Sequence, residues 1–286
     1  MSAALVEVDG LTVEFPRKGG MVEVVRNVSF SIGQEKVGIV GESGSGKSMT
    51  GRALLGLVRP PGRVRARELR VSGVDLQNAS ERTIRSLRGN QIGMIMQDPK
   101  FSLNPVMRIG EQISEAYILH RNAGRAESRL EALKMLEKVK IRDPERVFDA
   151  YPHQISGGMG QRVMIAMMLA PEPGFLIADE PTSALDMSVQ LEVLSLIDQL
   201  VKERQMGLMF ISHDLNQVAA FCDRVIVMYA GQIVETCKAA ELGKAKHPYT
   251  RGLIAAMPRL TKPLEILPTL NRQESWRTEP GVDGRI

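Results

Sequence analysis

Gly41-Glu42-Ser43-Gly44-Ser45-Gly46-Lys47-Ser48 is built to hold a chain of phosphates. It follows the pattern G-x-x-x-x-G-K-[ST]. In such a loop, backbone N–H groups converge on phosphate oxygens. A helix starting there adds partial positive charge. Gly44 and Gly46 avoid the Cβ clashes that would block the turn. Lys47 is a mobile point charge able to reach β- and γ-phosphates. The Ser48 hydroxyl can ligate Mg²⁺. Gly41, Ser43, Ser45 and Met49 complete the expected nucleotide-binding set.

Two later segments end an apolar run on groups that can act on such a ligand. Phe175-Leu176-Ile177-Ala178 runs into Asp179 and Glu180. In an open α/β sheet, ligands bind at the carboxyl ends of the strands. Asp179 can hold Mg²⁺ directly or through water, and Glu180 can orient and polarise an attacking water. Phe210-Ile211-Ser212-His213-Asp214 repeats the layout, which makes His213 a candidate γ-phosphate contact.

These groups need a scaffold, and the hydrophobic pattern predicts one. Strands are expected at Val22–Val25, Val37–Val40, Ile92–Met96, Phe175–Ala178, Leu208–Ile211 and Val225–Met228. A helix is expected from Ser48 to Leu57, directly after the loop. Val189, Val193, Leu194, Ile197, Leu200 and Val201 recur at helical spacing, as do Leu130, Leu133, Leu136 and Val139. Apolar strands alternating with helices predict an α/β fold with a parallel sheet covered on both faces. The first ninety residues alternate in strand fashion and predict an antiparallel β layer. Residues from about 98 to 160 read as mostly helical and polar. Thr261 to Ile286 reads as a mobile extension, punctuated by Pro263, Pro268, Pro280 and Gly281.

Composition sets the limits. The 286 residues are 43% apolar and 24% charged, which is ordinary for a globular chain. The two cysteines, Cys222 and Cys237, lack metal-like spacing and argue against a disulfide framework. The longest apolar run, Val163 to Ala170, is far too short to span a bilayer. Met1–Glu7 lacks the features of a signal peptide. A cytosolic chain is expected, or one held at a membrane by a partner. Eight arginines lie between Arg59 and Asn90 against three acids. Arg63, Arg65 and Arg67 alternate with Val64 and Ala66, which reads as a solvated strand face, with lipid-headgroup contact as the alternative. No aromatic residues interleave with them, so no nucleic-acid partner is expected.

One further segment identifies a family. Tyr151-Pro152-His153-Gln154-Ile155-Ser156-Gly157-Gly158-Met159-Gly160-Gln161-Arg162 resembles the signature motif of ATP-binding-cassette (ABC) ATPases. In the same comparison Gln97, within Ile95-Met96-Gln97-Asp98-Pro99, resembles the Q-loop glutamine, which also contacts the metal. Ser183-Ala184-Leu185-Asp186 resembles the D-loop, and His213 the H-loop histidine. Phe15 falls where the family places an aromatic that stacks on adenine. The resemblance implies a P-loop NTPase core with an N-terminal antiparallel β subdomain and an inserted helical subdomain, about 98–165. The ATPase domain would cover 1–258, and 259–286 would be an extension. It also implies ATP and Mg²⁺ as ligands. Two cassettes would pair head to tail, each ATP lying between one phosphate loop and the partner's signature. Ser156, Gly157 and Gly158, ahead of a helix from Gln161 to Leu169, form a second anion-binding helix start that suits this. Gln161 and Asp186 belong to the same set, and Lys47, Gln97, Glu180 and His213 would carry hydrolysis.

Met94-Ile95-Met96-Gln97-Asp98-Pro99 with Ser102-Leu103-Asn104-Pro105, and His247-Pro248-Tyr249-Thr250-Arg251-Gly252-Leu253, resemble the oligopeptide/dipeptide/nickel importers. That implies a second, identical or related ATPase subunit and two permease subunits, with a solute-binding protein acting indirectly. The place of work would be the cytoplasmic face of the inner membrane. Ile155 and Gly160 depart from the commoner signature residues. The tail lacks the cysteine cluster that some relatives carry. Trp276 could dock on a partner, dock on the core or lie free. An exporter cassette, a non-transport ABC ATPase and a regulatory module that holds ATP without turnover are the competing readings.

Overall fold

The computed structural model describes residues 4–99, 102–183 and 185–256, together with Gln273 and Trp276. All but those two positions of the expected extension, and Ala184 of the expected D-loop, lie outside the described residues. The chain divides into two compact units, Met1–Ile84 with Gly207–Ile286, and Arg85–Met206.

The first unit opens with a long hairpin, β1 (Val6–Arg17) and β2 (Gly20–Ile32). Val6, Val8, Leu11 and Val13 point inward, as do Val25, Val28, Phe30 and Ile32. The alternation is broken where the register shifts between Val8 and Leu11, beside Gly10 at φ 63°. β3 (Lys36–Val40) leads through the glycine-rich loop into α1 (Lys47–Leu54). β4 (Arg63–Arg65), β5 (Glu68–Val71) and β6 (Val74–Asp75) complete the antiparallel layer, in the order β2-β1-β5-β6 with β4 also on β1. Three arginines of this layer are paired at its surface: Arg65 with Glu14, Arg67 with Asp9, Arg70 with Glu68. Asp9, through a hydrogen bond and its charge, raises the Arg67 pKa further. This is the solvated strand face that the alternation predicts.

After α2 (Glu81–Leu87) the second unit begins its sheet with β7 (Ile92–Ile95). Four helices follow: α3 (Ile109–Arg121), α4 (Arg125–Lys138), α5 (Pro144–Asp149) and α6 (Gly157–Leu169). β8 (Phe175–Asp179) is parallel to β7, pairing Ile92 with Phe175 and Ile95 with Ala178. α7 (Met187–Glu203) closes the unit. The apolar run from Val163 is core helix: Val163, Met164, Ile165, Ala166 and Leu169 are all fully buried. α4 keeps only part of the predicted stripe, with Leu136 and Val139 fully buried. Leu130 is 53% exposed, and the buried face is Ser128, Ala132, Met135 and Leu136. Small residues at 128 and 132 let α3 come close, and Ser114 donates to the Ser128 carbonyl.

The chain then returns to the first unit with β9 (Gly207–Ile211), α8 (Leu215–Phe221), β10 (Arg224–Tyr229), the unpredicted β11 (Gln232–Lys238) and α9 (Pro248–Ala255). β3 lies parallel between β9 and β10, and β11 adds an antiparallel edge. β3 and β9 are buried almost end to end because both faces are covered. Burial pushes the Cys222 thiol up to about 12 and the Cys237 thiol up to about 11. Both are free thiols that stay protonated at neutral pH. Among the described residues, no helix is long and apolar enough to cross a membrane.

Candidate functional site

In the first unit the glycine-rich loop leaves β3 and wraps over the start of α1. Gly41 sits at φ 151°, and a Cβ there would lie 2.1 Å from the Met228 carbonyl oxygen. Only glycine fits this turn. Gly46, in the left-handed region at φ 100°, caps α1. Lys47 is 5% exposed. Its Nζ donates to the carbonyls of Gly41 at 2.8 Å and Glu42 at 2.9 Å, with the Ser45 hydroxyl at 3.4 Å. The Gly41 and Glu42 carbonyl dipoles thus help to hold the ammonium beneath the loop. Ser45 is buried, Ser48 and Met49 are half-buried, and Ser43 and Gly44 face solvent. Phe15, on β1, is half-buried. Gly62 backs its ring so closely that a Cβ would lie 2.5 Å from Cε1.

His213 follows β9 on an exposed corner. The corner is braced on both sides. The Ser212 hydroxyl donates to Gln217 Oε1 at 3.1 Å and accepts the Asp214 N–H at 3.0 Å. Asp214 caps α8 by accepting from Asn216 and Gln217. Sequence reading missed these braces, although Ser-x-Asp before a helix is a capping signal.

In the second unit β8 delivers Asp179, 7% exposed, and Glu180 beyond it. Glu180 has φ 47°, an unfavourable left-handed conformation for this residue type. Its carbonyl accepts from the Ser183 hydroxyl at 3.2 Å. Gln97, two residues past the end of the neighbouring β7, donates from Nε2 to Glu180 Oε2 at 3.3 Å. A glutamine and a carboxylate expected to serve hydrolysis therefore share one strand-end surface. Asp186 caps α7. Its Oδ1 accepts from Ser188 N, Val189 N and the Ser188 hydroxyl. Those bonds, the hydroxyl's foremost, hold its carboxyl below the usual range.

The signature segment starts α6 in the same unit. Ser156 is exposed and caps the helix, accepting the Met159 N–H at 3.4 Å. The helix begins at Gly157 rather than at Gln161, so the glycines form its first turn. Among the described residues, nothing lies within 4 Å of a Cβ placed on Gly157, and Ser156 and Gly157 are both exposed, which leaves the helix start accessible to an anion. Gly158 has a packing reason instead: a Cβ would sit 2.8 Å from Val189 on α7. Gln161 is 1% exposed, and its Nε2 has no hydrogen-bond partner among the described residues. It faces the interior of the unit, not the surface an anion would reach. At Gly160 a Cβ would make ordinary contact with Pro99 at 3.6 Å. Gly160→Ala is therefore expected to stabilise the unit by about 0.5–1 kcal/mol, read as a higher denaturant midpoint. A lower midpoint would mean that the helix start needs this glycine.

Among the described residues, no group of three or more His, Cys, Asp or Glu is arranged to hold a metal. Mg²⁺ does not require one, since it takes most of its ligands from water and substrate phosphates. The Ser48 hydroxyl, Gln97 amide and Asp179 carboxylate are oxygen donors of the kind a hard cation accepts.

Residues 25–183 match the family model described as ABC transporter. The dipeptide transport ATP-binding protein DppD of Escherichia coli strain K12 is 46% identical over 269 residues, covering 93% of this chain and 82% of that one. The oligopeptide transport ATP-binding protein OppD of Bacillus subtilis strain 168 is 47% identical over 259 residues, covering 90% and 72%. Among solved structures, a dimeric ATP-binding cassette in a post-hydrolysis state, bound to ADP and Pi, matches with TM-score 0.73 and 28% identity. It covers 82% of this chain and 98% of that one. The chain belongs to the ABC transporter family, as an ATP-binding and ATP-hydrolysing subunit of the importer type.

Proposed function

We propose that this subunit powers uptake of peptides or a related small solute, such as a nickel chelate. It would do so by hydrolysing Mg-ATP within a head-to-tail pair of cassettes attached to two permease subunits. A solute-binding protein would deliver the cargo, and the subunit would sit peripherally on the cytoplasmic face of the membrane. Peptides come first because the similar DppD and OppD are named for dipeptide and oligopeptide transport. The His247-Pro248-Tyr249-Thr250 segment also favours import over export.

In this reading the N–H groups of Gly44 to Ser48 and the Lys47 ammonium bind the β- and γ-phosphates. Phe15 stacks on adenine. Mg²⁺, held by Ser48, Gln97 and Asp179, would offset phosphate charge when bound. Glu180 orients water and takes its proton, Gln97 holds the Glu180 carboxylate in place, and His213 contacts the γ-phosphate. Ser156, Gly157 and Gly158 serve the partner's nucleotide, next to Asp186 of the D-loop. Buried Gln161 supports the helix from inside.

The observation that carries the paired arrangement is the open, Ser156-capped start of α6. A helix end of this kind suits an anion, and it lies in the unit that lacks the phosphate loop. Ser156→Arg removes the hydroxyl and fills that end. ATP-driven crosslinking between cassettes should be lost, while nucleotide binding by the variant's own phosphate loop persists. ATP-driven dimers that form as before would refute the head-to-tail arrangement.

A further inference from the structure

The glycine-rich loop is tied down by residues that arrive some two hundred positions later. Glu42 N–H donates to the Tyr249 hydroxyl at 3.0 Å. Gly231 N–H donates to the Ser45 carbonyl at 3.1 Å. The Met228 carbonyl packs beneath Gly41. Tyr229 links these ties, since it stands between Met228 and Gly231, and its ring lies 4.5 Å from that of Tyr249.

The chain is poor in aromatics, with four tyrosines and one tryptophan, yet two of those tyrosines and the tryptophan meet here. Trp276 is 5% exposed, edge-on to Tyr229 at 6.0 Å, His247 at 6.2 Å and Tyr249 at 6.2 Å. Tyr249 is fully buried. Its backbone is fixed from the other side: His247 Nδ1 accepts the Tyr249 N–H at 3.2 Å, and buried Glu235 accepts from the N–H groups of Lys246 and His247. A buried ring so constrained holds its hydroxyl against the Glu42 peptide. That peptide adjoins the Gly41 and Glu42 carbonyls that hold Lys47.

We propose that Tyr249 is a positioning residue of the phosphate loop and that Trp276 locks it in place. Nucleotide affinity then depends on an aromatic post built from the C-terminal part of the chain. This rests on the reading of Gly41–Ser48 as the nucleotide-binding loop. It gives the His247-Pro248-Tyr249 segment a physical task within the ATPase.

Tyr249→Phe in the full chain keeps the ring and removes the acceptor. The Kd and KM for Mg-ATP should rise together by about three- to tenfold, the scale of one hydrogen bond. The kcat should change less than about twofold, as when uniform binding is lost. Merely structural damage would lower the thermal midpoint without that split. In the wild type, emission from Trp276, the sole tryptophan, should shift on saturation with Mg-ATP. That second readout stands even if the variant fails to fold. Wild-type Kd and KM in a folded Tyr249→Phe variant would overturn the proposal. So would unchanged emission while filter binding shows bound nucleotide. If the wild type itself retains no nucleotide on the filter, the loop reading falls as well.

Discussion

Glu180→Gln is expected to retain ATP and hydrolyse it about 10²- to 10⁴-fold more slowly, the usual weight of a general base. Glutamine has the shape of glutamate and can still accept the Gln97 amide hydrogen, so the strand-end surface is preserved. It cannot take a proton from water. Because ATP is then bound but not cleaved, paired cassettes should accumulate, visible as an ATP-dependent shift in gel filtration. Phosphate release measured on the same sample gives the rate. Turnover at the wild-type level would remove Glu180 from its assigned role.

Lys47→Met should produce the complementary defect. The methionine fills the 5%-exposed channel occupied by the lysine stem but brings no charge. The Gly41 and Glu42 carbonyls lose their donor, and the phosphates lose their counter-charge. Removing one partner of a desolvated, hydrogen-bonded charge contact costs about 2–5 kcal/mol, roughly thirtyfold or more in affinity. Equilibrium binding of labelled ATP measures it, with far-UV circular dichroism as the folding control. An affinity within about threefold of the wild type would show that the ammonium does not reach the phosphates. Together the two variants separate binding from cleavage.

Much of this machinery is readable in the residues because local patterns encode it. The loop, the acids after β8 and the histidine after β9 each follow a short apolar run, and such runs become buried parallel strands. What escaped reading depends on tertiary packing. β11 mixes Thr236, Glu235 and Cys237 with apolar residues at the sheet edge, so its pattern is weak. The stripe through Leu130 is right only in its second half: Leu136 and Val139 are buried, while Leu130 is exposed and Ala132 and Met135 take its place. Gln161 stands in the signature, yet it points inward because a helix beginning at Gly157 rotates it there. The hydroxyl of Tyr249 on the Glu42 peptide joins residues too distant in the chain for any periodicity to connect.

The interrupted first unit has a consequence for biosynthesis. β3 ends at Val40, but its partner β9 does not start until Gly207, about 170 residues later. At ribosomal speeds of about 5–20 residues per second, β3 waits roughly ten to thirty seconds for that neighbour. Throughout the delay, Val37, Ile39 and Val40 remain unpaired and greasy. The nascent chain thus carries an adhesive stretch, a natural target for chaperone capture during translation, until its closing strands emerge.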